Sequence, residues 1–382
     1  MDPLTSKKQT ITLCMIVKNE ASVITRAFDS VKHFVDYYCI CDTGSSDGTQ
    51  GIMRQYFKDN NFSGEVYERP WIDFGHNRTE NFNLAKGTSD YIMTLDADEV
   101  LAPYRDNKPL LTSCVKDLPR LEVDQINIKT SYGSYEYYRP QFFKDGLEWR
   151  WEQPLHEYCW SPSKKSEANL DGVCVVPSPD GARSLDPEKF SKDATVLAEH
   201  VKKYPKDVRS WFYLAQSHDN AGESEKALEP LDKVLELGGW DEELFEASLR
   251  KARIVARLDG MEKALPIYLE AYHRRPYRAE PLLDILHYYR TKEMFEVALL
   301  FGEVAYKLSF PPHDRLFVNR DIYEWRVRDE LSICYYFVGR YEEADNLIQE
   351  ILDNKSARPS SGDLNRIKKN QQLSKDKLNE TA

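Results

Sequence analysis

Asp96 and Asp98 stand one residue apart at the end of the apolar run Tyr91-Ile92-Met93-Thr94-Leu95. On a strand, residues i and i+2 share a face, so both carboxylates can project from the strand's C-terminal end. That edge of an open α/β sheet is where ligands bind. Hard oxygen ligands there suit Mg²⁺ or Mn²⁺ bridging a diphosphate; a solvated acidic turn is the plain alternative. A second acidic junction, Asp42-Thr43-Gly44-Ser45-Ser46-Asp47-Gly48-Thr49, follows an earlier apolar run. Asp42 there can accept hydrogen bonds from a nucleobase N–H or a ribose hydroxyl, while Gly44 and Gly48 permit tight turns and Ser46 or Asp47 can cap the next helix. A capped turn without a ligand fits those residues equally well. The chain has neither GxGxxG nor GxxxxGK[ST], which argues against a Rossmann dinucleotide site and a P-loop.

The elements that must position these acids alternate up to about residue 180. Ile11–Val17 reads as a strand, followed by Val23, Ile24, Ala27, Phe28 and Val31 at helical spacing. Then come a strand (Tyr37–Cys41), a helix (Ile52–Phe57), a strand (Glu65–Glu68), a helix (Asn77–Ala85) and the strand Tyr91–Leu95. That order implies an α/β unit with a mostly parallel sheet covered by helices. From Gln125 to Phe143 the pattern is β-like and aromatic, and Pro177-Ser178-Pro179-Asp180-Gly181 reads as a linker. The aromatic run between Tyr132 and Trp151 can stack on a sugar ring or peptide, or pack the core.

A length of 382 residues allows two or three domains. Fifty-two Lys and Arg against 63 Asp and Glu, a net charge of −11, argue against a nucleic-acid or anionic-membrane partner. No stretch approaches the roughly 18 apolar residues of a membrane span, and the first residues do not read as a signal peptide. A soluble, cytoplasmic protein is expected. Seven cysteines without CxxC spacing make a zinc site or a disulfide framework unexpected.

From about residue 187 the pattern is helical throughout. Alanines 227, 264, 298 and 344 recur in similar contexts at spacings of 37, 34 and 46 residues. A period near 34 with a small residue where paired helices touch resembles the tetratricopeptide repeat. Stacked pairs of this kind bury one another's faces. The expected domains are therefore 1–180 (α/β), 187–354 (helical repeats) and a disordered tail at 355–382, which lacks aromatics and is rich in polar residues.

Together, Thr12-Leu13-Cys14-Met15-Ile16-Val17-Lys18-Asn19-Glu20, the Asp42–Thr49 junction and Leu95-Asp96-Ala97-Asp98-Glu99 resemble glycosyltransferase family 2 in residues, order and separation. With the repeats behind them, they resemble the tetratricopeptide-fused branch that includes bacteriocin S-glycosyltransferases. The resemblance implies a GT-A fold, a nucleotide-diphosphate sugar donor (UDP-sugar by class), Mn²⁺ or Mg²⁺, and inversion at the anomeric carbon. It places Val17, Glu20, Asp42, Asp73, Asp96 and Ala97 at the nucleotide sugar, and Asp98 on the metal. Trp71-Ile72-Asp73-Phe74-Gly75-His76-Asn77-Arg78 is similar to the family's WxDFxxxR stretch, which assigns Arg78 to the nucleotide; Thr79 stands where an Asn commonly follows. His156, in Leu155-His156-Glu157, resembles the late "HE" element and would be a further metal ligand. Glu157 is the first candidate for the base that deprotonates the acceptor, with Glu152, Asp145 and Glu99 behind it.

The acceptor would be a protein, peptide or glycan, and the repeats would hold it or mediate self-association into a homo-oligomer. One rival is a non-catalytic repeat scaffold with a degenerate nucleotide-sugar domain. Another is a nucleotidyltransferase, which should carry a Gly-rich basic loop after the first strand; Lys18-Asn19-Glu20 is not one.

Overall fold

The computed structural model describes residues 9–106, 108–357 and 359–381, which group into two compact units. The first contains β1 (Ile11–Val17), α1 (Ile24–Val31), β2 (Tyr37–Asp42), α2 (Thr49–Asp59), β3 (Ser63–Glu68), α3 (Phe74–Ala85), β4 (Tyr91–Thr94) and β5 (Glu99–Arg105). It continues with β6 (Lys108–Pro109), β7 (Gln125–Tyr132), β8 (Tyr135–Lys144, from Tyr137 onward in this unit), β9 (Arg150–Glu152), β10 (Tyr158–Trp160), β11 (Glu167–Pro177) and α4 (Lys189–Lys203). Nine strands form one mixed sheet in the order β3-β2-β1-β4-β8-β7-β11-β5-β6, with β9 and β10 as a separate ribbon. The first four run parallel, as the βα alternation requires, and β8 turns antiparallel against β4.

Period-two alternation decides which face each strand residue meets. Leu13, Met15 and Val17 of β1 and Tyr38 and Ile40 of β2 join Phe28, Val31, Met53 and Phe57 of α1 and α2 in one core. Cys14 and Cys39 face the other way, toward Phe82, Phe143 and Trp149. There Asn81 of α3 donates to the sulfurs of Cys39 and Cys41 at 3.5 and 3.3 Å. Each buried side chain of this size contributes roughly 1.5–3 kcal/mol, so the two-sided core holds these short helices more than their propensities do. The cysteines form no disulfide.

The second unit holds helix pairs α5 (Val208–Asn220) with α6 (Ser224–Leu237), α7 (Asp241–Leu258) with α8 (Met261–Arg274), α9 (Glu280–Thr291) with α10 (Phe295–Tyr306), and α11 (Val327–Phe337) with α12 (Tyr341–Asp353). A π-turn, Ile322–Arg326, leads into α11. Ala227, Ala264, Ala298 and Ala344 lie in the second helix of each pair and are fully buried, as close helix contact requires. Successive first helices are joined by ion pairs. Arg250 and Arg257 of α7 reach Asp219 of α5 at 2.9 and 2.6 Å, Arg253 of α7 reaches Asp284 of α9 at 2.6 Å, and Arg290 of α9 binds Glu330 of α11.

The long interval before α11 is an inserted loop anchored by a buried arginine. Arg278, 0% exposed, donates to Glu246 (2.9 Å), Glu280 (3.0 Å) and Asp314 (3.2 Å), with its guanidinium 4.4 Å from the Phe245 ring centre. Glu242 receives the backbone N–H groups of Arg315 and Leu316, both at 2.7 Å.

The expected disordered tail is instead a helix, α13 (Ser361–Thr381). Ile367 is buried with Trp325, Ile348 and Ile351, and Arg366 forms a two-pronged pair with Asp329 at 2.9 and 2.8 Å. Leu364, Ile367, Gln371 and Ser374 recur at helical spacing, a narrow stripe that the polar composition conceals. Among the described residues no helix is long and apolar enough to cross a membrane.

Candidate active site

The loops after β1 and β2 are stitched into one edge. Asn19, at a φ of +58° that asparagine tolerates, donates from its backbone N–H to Ser45 Oγ (2.8 Å) and accepts the Ser46 N–H on Oδ1 (2.8 Å). Glu20 N–H reaches Thr49 Oγ1 at 2.9 Å, and the Val17 carbonyl accepts from Thr43 N–H at 2.9 Å. At this edge Asp42 is 1% exposed. Its Oδ1 accepts from Gly44 N–H, Ser45 N–H and Gln50 Nε2 at 3.0, 2.9 and 3.0 Å. Burial alone would raise this carboxyl, but the hydrogen bonds from Ser45, Gln50 and Gly44 outweigh it and hold the group low. Asp42 Oδ2 is buried with no hydrogen-bond partner among the described residues. A buried carboxylate oxygen left bare is costly unless a donor arrives.

Thr43, the next residue, belongs to the wall of a cavity of about 500 Å³, together with Val17, Glu20, Asp73, Phe74, Pro154 and Arg183 among others. Trp71 and Ile72 stand at its wall with exposed apolar surface. Asp73 is the N-cap of α3, accepting His76 N–H at 2.7 Å, so one of its oxygens has a structural task. Arg183 and Lys192 come from the stretch after β11, where the sequence showed no motif; Arg183 stacks on Phe74 at 4.8 Å and pairs with Asp193 at 2.7 Å.

The paired acids are not on a strand. β4 ends at Thr94 and residues 96–99 form a turn closed by Glu99 N–H on the Asp96 carbonyl at 3.1 Å. The strand argument for a shared face therefore does not apply, and the two carboxylates have different hydrogen-bond partners. Asp96 Oδ1 accepts from Arg78 Nη2 at 2.6 Å, and Arg78 Nε reaches Glu157 Oε1, also at 2.6 Å. Burial works against the Asp96 charge, but Arg78 and then Arg139 overcome it and hold this carboxyl below the usual range. Ala97 points into the core rather than toward a ligand.

Asp98 faces the segment expected to be a linker. Ser178 N–H donates to the Asp98 carbonyl at 3.0 Å, Ser184 Oγ approaches Asp98 Oδ2 at 3.4 Å, and Ala182 N–H reaches Glu20 Oε2 at 3.3 Å. Residues 178–184 thus lie over the acids instead of trailing away. Gly181 is required there, since a methyl added to it would stand 2.5 Å from Asp98 Oδ2. Gly181→Ala is expected to destabilise by roughly 1–3 kcal/mol, the scale of overpacking, in denaturant unfolding; an unchanged midpoint would contradict this packing.

Burial, and then Asp96, push the Asp98 carboxyl up. Burial, and then Asp98 and Asp96, push Glu20 up to about 7, against the Ala182 N–H. The Glu20 and Asp98 carboxylates thus lie near enough to act on each other's charge. His156 is exposed at a left-handed φ of +54°. Among the described residues no group of three or more His, Cys, Asp or Glu is placed to hold a metal ion. The reserve bases have other partners. Asp145 accepts Gly87 and Gly146 N–H groups at 2.6 Å each, Glu152 accepts the Trp160 indole at 3.2 Å, and Glu99 binds Arg139.

Residues 12–174 match the model for glycosyl transferase family 2. A domain of that kind is present. A TPR repeat-containing protein of Synechococcus elongatus is 30% identical over 150 residues, covering 38% of this chain and 34% of that protein. An uncharacterized glycosyltransferase of Rickettsia felis is 35% identical over 92 residues, covering 24% of this chain and 30% of that protein. The chain spans about a third of the length of these curated relatives. A solved structure described as the crystal structure of MamA protein is 16% identical with a TM-score of 0.34, over 44% of this chain and 82% of that one. The glycosyltransferase-like domain is followed by a TPR-like helical repeat region.

Proposed function

We propose that the protein is a metal-dependent inverting glycosyltransferase that moves a sugar from a UDP-class donor to a protein, peptide or glycan acceptor. The observation that carries this reading is a cavity of about 500 Å³ that gathers Val17, Glu20, Thr43 and Asp73, within the roughly 300–1,000 Å³ of ligand sites. Asp42, next to Thr43 of that wall and with a bare Oδ2, would receive a nucleobase N–H, while Val17 and Asp73 bound the donor and Asp96 takes the ribose. Asp98, with Glu20 beside it and His156 as the further ligand implied by the family, would hold Mn²⁺ or Mg²⁺; when bound, the cation supplies charge neutralisation for the departing diphosphate. Glu157 would accept the acceptor's proton. In the narrower S-glycosyltransferase reading the acceptor is a cysteine thiol, which ionises more readily and asks less of that base. The repeats would hold the acceptor chain or pair two copies.

Calorimetry with UDP and Mn²⁺, joined to a hydrolysis screen across UDP-, GDP- and dTDP-sugars, tests the reading. Saturable UDP binding that needs the cation and hydrolysis of a UDP-sugar are expected. Neither binding nor hydrolysis would favour the repeat scaffold with a degenerate front domain.

A further inference from the structure

Arg78 sits in the second turn of α3 with its guanidinium already committed at two nitrogens. Nη2 donates to Asp96 Oδ1 and Nε to Glu157 Oε1, each at 2.6 Å, and the group lies 5.3 Å from the Trp151 ring centre. The side chain is only 11% exposed. α3 is fixed on either side of Arg78 to the segment that leads to Glu157. A methyl at Gly75 would stand 2.6 Å from the Gln153 carbonyl oxygen, Phe74 N–H bonds the Pro154 carbonyl at 3.2 Å, and Trp151 N–H donates to Thr79 Oγ1 at 2.9 Å. Thr79, where an Asn was expected, is thus part of the mount. The cations on the cavity wall among the described residues are Lys18, Arg183 and Lys192.

We infer that Arg78 is a positioning residue that clamps Glu157 beside Asp96 for attack by the acceptor, and that it does not bind the donor's phosphates. The inference rests on the transfer reading above. Arg78 engages Oε1 of Glu157, and an ionised carboxylate accepts through both oxygens, so Oε2 is the one that takes the proton. The acceptor's O–H or S–H bond breaks and its proton passes to Oε2. The acceptor's electron pair forms the new bond to the anomeric carbon, and the bond from that carbon to the diphosphate breaks, with its electrons leaving on the diphosphate. A lysine at 78 would be a point charge and could not span both carboxylates in one fixed geometry.

Arg78→Ala, Arg78→Lys, Glu157→Gln and the double variant Arg78→Ala/Glu157→Gln are compared by calorimetry with UDP–Mn²⁺ and with uridine, steady-state transfer and thermal unfolding. Arg78→Ala is expected to lower kcat by about 10²–10⁴-fold, the range of a placed general base. Its Kd for UDP and for uridine should rise by the same factor, within about 3-fold of each other, since any change through Asp96 on the ribose is common to both and only a lost phosphate contact would weaken UDP alone. Added guanidinium ion should restore part of that kcat, and Arg78→Lys should not. Glu157→Gln should cost little more in the Arg78→Ala background, with non-additive shifts in Tm. A large loss of affinity for UDP but not for uridine in Arg78→Ala, with kcat retained at saturating donor, overturns the inference. Additive Tm shifts overturn the clamp itself. A wild-type protein that binds no UDP and hydrolyses no donor overturns the transfer reading and the positioning role with it; non-additive Tm shifts would then mark a structural ion pair.

Discussion

Asp98→Ala is expected to remove sugar transfer and donor hydrolysis, by at least about 10²-fold, the scale for losing one group that stabilises transition-state charge. The fold should survive. Asp98 is pushed up by burial and then by Asp96, so the folded protein holds this proton more tightly than the unfolded chain does. Its favourable share of stability is therefore complete in acid, below the ordinary aspartate value of about 4, and is lost as pH rises through the elevated value. At neutral pH the ionised group works against folding. Asp98→Asn should then unfold at the same temperature as wild type or higher at pH 7, and the two should converge in acid. Wild-type rates of Mn²⁺-dependent hydrolysis in Asp98→Ala would sink the metal role, whatever the unfolding curves show.

The largest loss of stability is expected from Arg278→Ala. Its three carboxylate partners, Glu246, Glu280 and Asp314, are themselves buried or nearly so. Burial already pushes Glu246 up to about 7 with Arg278 as its main relief. Removing the cation strands these acids out of water, which costs roughly 3–5 kcal/mol when a buried pair is broken. The lost contact with Phe245 adds to that. Urea unfolding of the full chain measures it. A change under about 1 kcal/mol, the size of an exposed ion pair, would show that the network does not hold the inserted loop.

The parallel half of the sheet was legible because its signal is local. Period two in Leu13, Met15 and Val17 and helical spacing in Ile24, Ala27, Phe28 and Val31 need no distant partner to be recognised. The acids at the strand ends were legible by type, and Val17, Glu20 and Asp73 do meet around one cavity. What failed depends on contacts far apart in sequence. What Asp96 and Asp98 each meet is decided by Arg78 on one side and Gly181 on the other. Pro-Asp-Gly reads as a linker anywhere; only the carboxylate beneath Gly181 makes it a cover. Ala97 sits between two acids yet is claimed by the core. The tail helix is docked through Ile367, Gln371 and Ser374 and the Arg366–Asp329 pair, a mostly polar stripe that hydrophobic periodicity does not register.

The ion pairs between successive first helices do more than add small increments of stability. α7 presents Arg250 and Arg257 to an acid on one neighbour and Arg253 to an acid on the other, while α9 offers Asp284 backward and Arg290 forward. A second copy of the α7 pair inserted next to the first would set arginine against arginine. Helix pairs of nearly the same shape therefore carry different addresses, and only one succession lets every cation find an acid. A chain assembling pair by pair is told by charge which neighbour comes next.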